Sequence, residues 1–254
     1  MGLDQRVMWQ LNRLTGIFVL GAGMLMSAGA AVAGDRALAE TIGYSQDARY
    51  FAFEEFGIQD GSGFAYSHIY VIDLAEDRWV VGTPIIVEAD EDTETLKAIR
   101  ERSREQSMVR LNDLEIDRPA QIAAYNGDGT PDIDGLSISF GVPGFASPGA
   151  VTGAYDVSLE IYAAKSGAPC LDWFGENAMG FSLSIEDYGV VRQVHQDRSL
   201  PRSRGCPITY RITGVYLPFE ATDISRAVAL ISVYAYGFEG ADRRFVAVPL
   251  AYSF

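Results

Sequence analysis

Hydrophobic and polar positions fall into short β-type bursts along most of the chain. Between Ile42 and Ala89 the segments GYSQDARYFAFEEFG (43–57), GSGFAYSHIYVIDL (61–74) and DRWVVGTPIIVEA (77–89) are rich in β-branched and aromatic residues, and Gly, Asp and Ser punctuate them. The first two read as a hairpin about Asp60-Gly61-Ser62-Gly63. Beyond Ala120 the β pattern resumes in AQIAAY, LSISFG, AYDVSLEIYAA, GFSLSIEDYG, PITYRITGVYLP, AVALISVYAYG and RRFVAVPLAY. Several alternate apolar with polar, as in Val157-Ser158-Leu159-Glu160-Ile161, which implies sheets with one buried face. The one helix-like segment after the N-terminal region is DTETLKAIRERSREQ, Asp92 to Gln106, with acids toward its start, arginines toward its end and a thin apolar stripe of Leu96 and Ile99. No βαβ rhythm occurs. The pattern predicts a mostly β protein: an antiparallel β-sandwich-like core with an N-terminal β-meander and one surface helix. It divides into residues 34–118, the meander plus helix, and residues 119–254, the sandwich-like region, with one continuous domain as the alternative.

The first thirty-three residues follow different rules. Arg6 and Arg13 precede an uncharged run, IFVLGAGMLMSAGAAVA, which ends in Ala31-Val32-Ala33 before charge returns at Asp35 and Arg36. This is the layout of a secretory signal peptide, residues 1–33, with cleavage expected before Gly34. The Gly- and Ala-rich run is a poor spanning helix, and no transmembrane segment is expected in the mature chain. The whole chain carries 20 Lys and Arg against 34 Asp and Glu. Removing residues 1–33 leaves 18 against 33, a net charge of −15. Such a balance repels phosphate backbones, so nucleic acid is not an expected partner.

Cys170 and Cys206 are the only cysteines, and both lie in the exported part. A pair in an oxidising compartment reads first as a disulfide. The segment Asn126-Gly127-Asp128-Gly129-Thr130-Pro131-Asp132-Ile133-Asp134 spaces oxygen ligands as a calcium loop does. It is similar to the N-G-D-G-x-x-D core of FG-GAP-type repeats, with Ala124 where those repeats carry a carboxylate. The resemblance implies calcium at Asn126, Asp128, Asp132 and Asp134; an ordinary Asn/Asp/Gly turn explains the same letters. No other cofactor is implied.

Two arginine-bearing segments offer a binding loop. Arg202 and Arg204 flank Ser203 beside Cys206, and Glu239, Asp242, Arg243 and Arg244 cluster at an expected hairpin turn. Guanidinium groups in so acidic a chain suit a carboxylate or phosphate, or else pair with the protein's own acids. Acid–base pairs are less well founded. Glu54 and Glu55 are adjacent on a strand and point to opposite faces. His195 and Asp197 share a face, yet no G-x-S-x-G segment supplies a nucleophile, and Ser203 is close only in sequence.

The stretch SQDARYFAF followed by IYVIDL resembles a single TolB-like propeller repeat, without a second copy at blade-length spacing. The segments LPRSRGCP and GFEGADRRFVAVP, with Cys170-Leu171-Asp172 upstream and GYSQDARYFAFEEFG at the N-terminal end, are similar to a family of predicted secreted bacterial proteins of unassigned function. That resemblance implies export and a shared fold, and brings no catalytic residue. The resulting expectation is an exported periplasmic or envelope protein: a noncatalytic binding or structural module with an unknown protein or envelope component as partner. The alternatives are a secreted hydrolase with a site assembled from distant residues, and a calcium-stabilised module. A pocket containing His195 favours the enzyme; a loop patch of Arg202, Arg204 and Glu239 without a pocket favours the module.

Overall fold

The computed structural model describes residues 34–91, 93–237 and 239–250. The expected signal peptide lies outside the described residues. Fourteen strands among these residues form three antiparallel sheets. The N-terminal meander contains β1 (Leu38–Ser45), β2 (Tyr50–Ile58), β3 (Ala65–Asp73), β4 (Arg78–Trp79) and β5 (Ile85–Glu88). Its order is β4-β3-β2-β1-β6, with β5 also on β3 and β6 being Ile116–Arg118. An outer sheet runs β11-β10-β9-β8, from β8 (Ser137–Pro143), β9 (Val151–Ala163), β10 (Met179–Asp187) and β11 (Val190–Gln196). A central sheet runs β14-β13-β12-β7, from β7 (Ala120–Tyr125), β12 (Pro207–Pro218), β13 (Val228–Tyr236) and β14 (Ala241–Pro249).

The central sheet is covered on both faces. Toward the outer sheet, Ile212 and Ile231 pack with Phe140, Val157, Phe181 and Leu183. Toward the meander, Tyr216, Leu230 and Phe245 pack with Tyr44, Phe51, Phe53 and Tyr66. This explains why Val228–Val233 is buried at every position, as a strand between two layers must be. The outer-sheet strand β9 instead shows the alternation of a sheet with one wet face.

The mostly β, sandwich-like architecture expected from the patterning is what forms. Several details differ. The strand VVRQVHQ (β11) was not expected, because Arg192 and Gln193 interrupt its apolar run. The helix, α1, spans Leu96–Asp113 rather than 92–106. Thr95 caps it by accepting from the Ala98 N–H at 3.3 Å, so Glu94 precedes the cap and no acid lies in the first turn. Ile99, Ser103 and Ser107 form its narrow buried stripe. Finally, the propeller resemblance is not supported. The sheets do not close, and β1 takes as its second neighbour β6, which arrives from beyond the helix.

A short helix, α2 (Cys170–Phe174), and a 3-10 turn (Arg202–Arg204) are tied by the Cys170–Cys206 disulfide, whose Cα atoms lie 5.5 Å apart. Closing this 36-residue separation stabilises the fold by roughly 3–4 kcal/mol in the chain-entropy picture. Among the described residues no helix is long and apolar enough to cross a membrane.

Candidate functional site

A cavity of about 720 Å³ opens where the edges of all three sheets approach one another. The meander contributes His68, Tyr70 and Ile72 from β3, then Asp77, Arg78 and Trp79 from the β3–β4 turn and β4. Residues i, i+2 and i+4 share one face of a strand, so the alternation of β3 aims His68, Tyr70 and Ile72 the same way. The central sheet contributes Val233 and Ala235 of β13 and residues 244–248 of β14. His195 of β11, with Ser203 and Arg204 of the 3-10 turn, completes the lining. Both histidines of the chain therefore border one cavity.

Glu55 is the polar hub on the meander side. It stands opposite His68 in the β2–β3 register and is 0 % exposed. Its Oε2 accepts the Phe245 N–H at 2.7 Å, which ties the meander to β14. Its Oε1 makes no hydrogen bond, although His68 Nδ1 and Arg244 Nε each lie 3.7 Å from it. His68 Nε2 is likewise without a hydrogen bond, 3.5 Å from Glu88 Oε1. Arg244 is fixed from behind: it donates to Asp35 Oδ2 at 2.6 Å and to the Tyr66 hydroxyl at 3.1 Å. Burial alone would lower the Arg244 pKa, but the bond to Asp35 and the neighbouring Tyr66 raise it.

The opposite wall is built on His195. Its ring stacks on Phe181 at 4.7 Å. Nε2 lies 3.3 Å from Asp197 Oδ1, and Nδ1 lies 3.7 Å from Asp77 Oδ2, across the gap to the meander. Burial would lower the pKa of this imidazole; the bonds to Asp197 and Asp77 outweigh it and raise the value to about 9. His195 is thus an imidazolium at neutral pH, clamped between two carboxylates. Burial raises the Asp197 pKa, but His195 and Arg204 more than offset this and hold it below the usual range. Arg204 places Nη1 3.6 Å from Asp197 Oδ2, and that atom makes no hydrogen bond.

The residues singled out in the sequence scatter. Of the binding-loop set only Arg204 lines the cavity; Arg202 is exposed on the 3-10 turn. Arg243 is buried, donating to the Ala37 carbonyl and to Asp128 Oδ2 at 2.5 Å. Asp242 accepts the Asp35 N–H at 2.8 Å, and Glu239 is exposed in the β13–β14 turn. Arg202 and Glu239 thus lie outside the lining of the cavity, which holds His195 and Arg204. In the calcium-loop segment, Asn126 donates to the carbonyls of Ser137 and Ile212, Asp134 accepts the Leu136 N–H, and Asp128 is engaged by Arg243. Asn126, Asp132 and Asp134 line a separate groove of about 480 Å³. Among the described residues no group of three or more His, Cys, Asp or Glu side chains is arranged to hold a metal ion.

Glu54 and Glu55 do face opposite ways. Glu54 turns to α1, where Arg100 Nε lies 2.8 Å and Arg104 Nη2 3.0 Å away. Glu55 turns to the cavity. The central role of Glu55, His68 and Arg244 went unnoticed because their partners lie far away in the sequence. The usable signal was the hairpin about Asp60–Gly63, whose register sets Glu55 opposite His68.

The model of a family described as "Predicted secreted protein (DUF2259)" matches residues 52–251. The chain belongs to this family. The match to DUF2259 runs from within β2 to beyond β14 and includes all the cavity-lining residues named above. As a DUF2259 member the protein is an exported one. Searches of curated proteins and of solved structures found no match.

Proposed function

We propose that the protein is a noncatalytic binding module of the periplasm or cell envelope whose ligand occupies the cavity at the three-sheet junction. One observation carries this reading. Three buried polar atoms without a hydrogen bond, Glu55 Oε1, His68 Nε2 and Arg204 Nη1, belong to residues that line the same cavity. Buried polar groups are ordinarily satisfied, so three that are held only by ion pairs at 3.5–3.7 Å around one cavity support a binding role.

The presence of His195 in the pocket favours the hydrolase alternative, but its protonation opposes it. A general base needs a free imidazole lone pair near neutral pH. Both His195 nitrogens instead face carboxylates, and among the described residues no hydrogen bond joins His195 to Ser203.

The test is a fluorescence titration with the neutral apolar probe N-phenyl-1-naphthylamine, comparing the wild type with Ala235→Trp, which fills the cavity. Saturable single-site binding in the wild type and its loss in a folded Ala235→Trp variant is the expected result. Unchanged binding in the variant would overturn the reading. Turnover of p-nitrophenyl esters that disappears in Ser203→Ala would replace it with the hydrolase.

A further inference from the structure

The cavity's lining is richer in cations than the molecule around it. Arg78, Arg204 and Arg244 line it, with His195, against only Glu55 and Asp77. With His195 protonated this lining sums to +2, in a mature chain of net −15. The carboxylates that hold the three arginines stand behind the lining rather than in it: Asp35 for Arg244 and Asp197 for Arg204, both buried, and Glu76 for Arg78. Glu55 does not attract a cationic ligand, because His68 and Arg244 already flank its Oε1 at 3.7 Å. Arg204 is held more loosely, its Nη1 3.6 Å from Asp197 Oδ2.

The remaining lining is mainly apolar. Tyr70 and Trp79 sit with ring centroids 5.3 Å apart, and Ile72, Ile86, Val246 and Val248 extend the apolar wall. Trp79 and Ile86 are exposed at the meander edge. Apolar walls with a few placed polar groups are the ordinary make-up of a small-molecule site.

We propose that the ligand of this cavity is an amphipathic monoanion: one carboxylate taken by Arg204, with an apolar chain lying against Tyr70, Trp79 and Val246. This rests on the binding reading above and names its ligand class. A dianionic phosphate fits less well, because Asp197 and Asp35 already offset Arg204 and Arg244 from behind.

The experiment is isothermal titration calorimetry of the mature protein with decanoate, 1-decanol and decyltrimethylammonium at low ionic strength. Decanoate is expected to bind at least tenfold more tightly than 1-decanol, and the ammonium least. Arg204→Gln, checked for folding by circular dichroism, brings decanoate to the affinity of 1-decanol and leaves 1-decanol unchanged. If Arg204→Gln does not fold, Arg78→Gln serves in its place, since that side chain is 60 % exposed; it is expected to reduce the preference for decanoate severalfold. Equal affinities, or preference for the ammonium, overturn the monoanion assignment while the cavity remains a binding site. No binding of any of the three probes overturns both.

Discussion

The two faces of the central sheet are built from different material. Toward the outer sheet the buried residues are hydrocarbon and aromatic, with Tyr210 donating its hydroxyl to the Met179 carbonyl. Toward the meander the aromatics of β1–β3 are interleaved with Asp35, Glu55 and Arg243, all buried. Charge inside a protein costs free energy unless it is paired, and even a paired buried charge stabilises less than well-packed hydrocarbon does. A layer that retains three such groups beside a cavity has been shaped by something other than stability. The dry face holds the fold together; the polar face builds one wall of the site, and His195 of β11 with Arg204 builds the other.

The sharpest way to break this contrast is on the dry face. Phe181, fully buried and ringed by His195 and Tyr210, should cost about 3–5 kcal/mol on truncation to alanine. Urea unfolding measures the loss, and a cost below about 1 kcal/mol would show that this face is not the main store of stability.

The next effect is pH dependence. His195 has a raised folded value of about 9 against an ordinary 6.5. The stabilisation it carries is therefore complete below about pH 6.5 and is lost as pH rises through about 9, amounting to on the order of 3 kcal/mol. Thermal melts between pH 6 and 10 should show this fall, and His195→Gln should flatten it. An equal fall in the variant would locate the dependence elsewhere.

The smallest effect separates two neighbours. Glu54→Gln removes the charge that holds Arg100 and Arg104 and should cost about 2–3 kcal/mol. Glu55→Gln keeps an amide oxygen to accept the Phe245 N–H and should cost about 1 kcal/mol. Chemical denaturation of both variants gives the order; a reversal would mean that the charge of Glu55, rather than its backbone bond, couples the meander to β14.

Much of the strand layout was legible in the sequence, because alternation within one strand is a local property. The run AVALISV held more than was taken from it. Its apolar character, broken only at Ser232, is the mark of a strand covered on both faces. The opposed directions of Glu54 and Glu55 were also legible, as a consequence of pleating. The cavity was not. His68 and His195 belong to different sheets, Arg244 reaches back to Asp35, and no spacing rule links such residues before the sheets stack. The contacts of the calcium-like loop were not legible either: the Asn126 amide donates to Ser137, Asp128 is engaged by Arg243 and Asp134 accepts the Leu136 N–H.

Residues 35–37 run parallel to β14, with Arg36 bridging Arg243 and the Arg243 N–H donating to the Asp35 carbonyl at 2.7 Å. An exported chain emerges N-terminus first, so the residues that follow the expected cleavage point wait for almost the entire sequence before their hydrogen-bond partners arrive. Contacts at such sequence distances form late. This edge of the molecule therefore closes only once its last strand is in place.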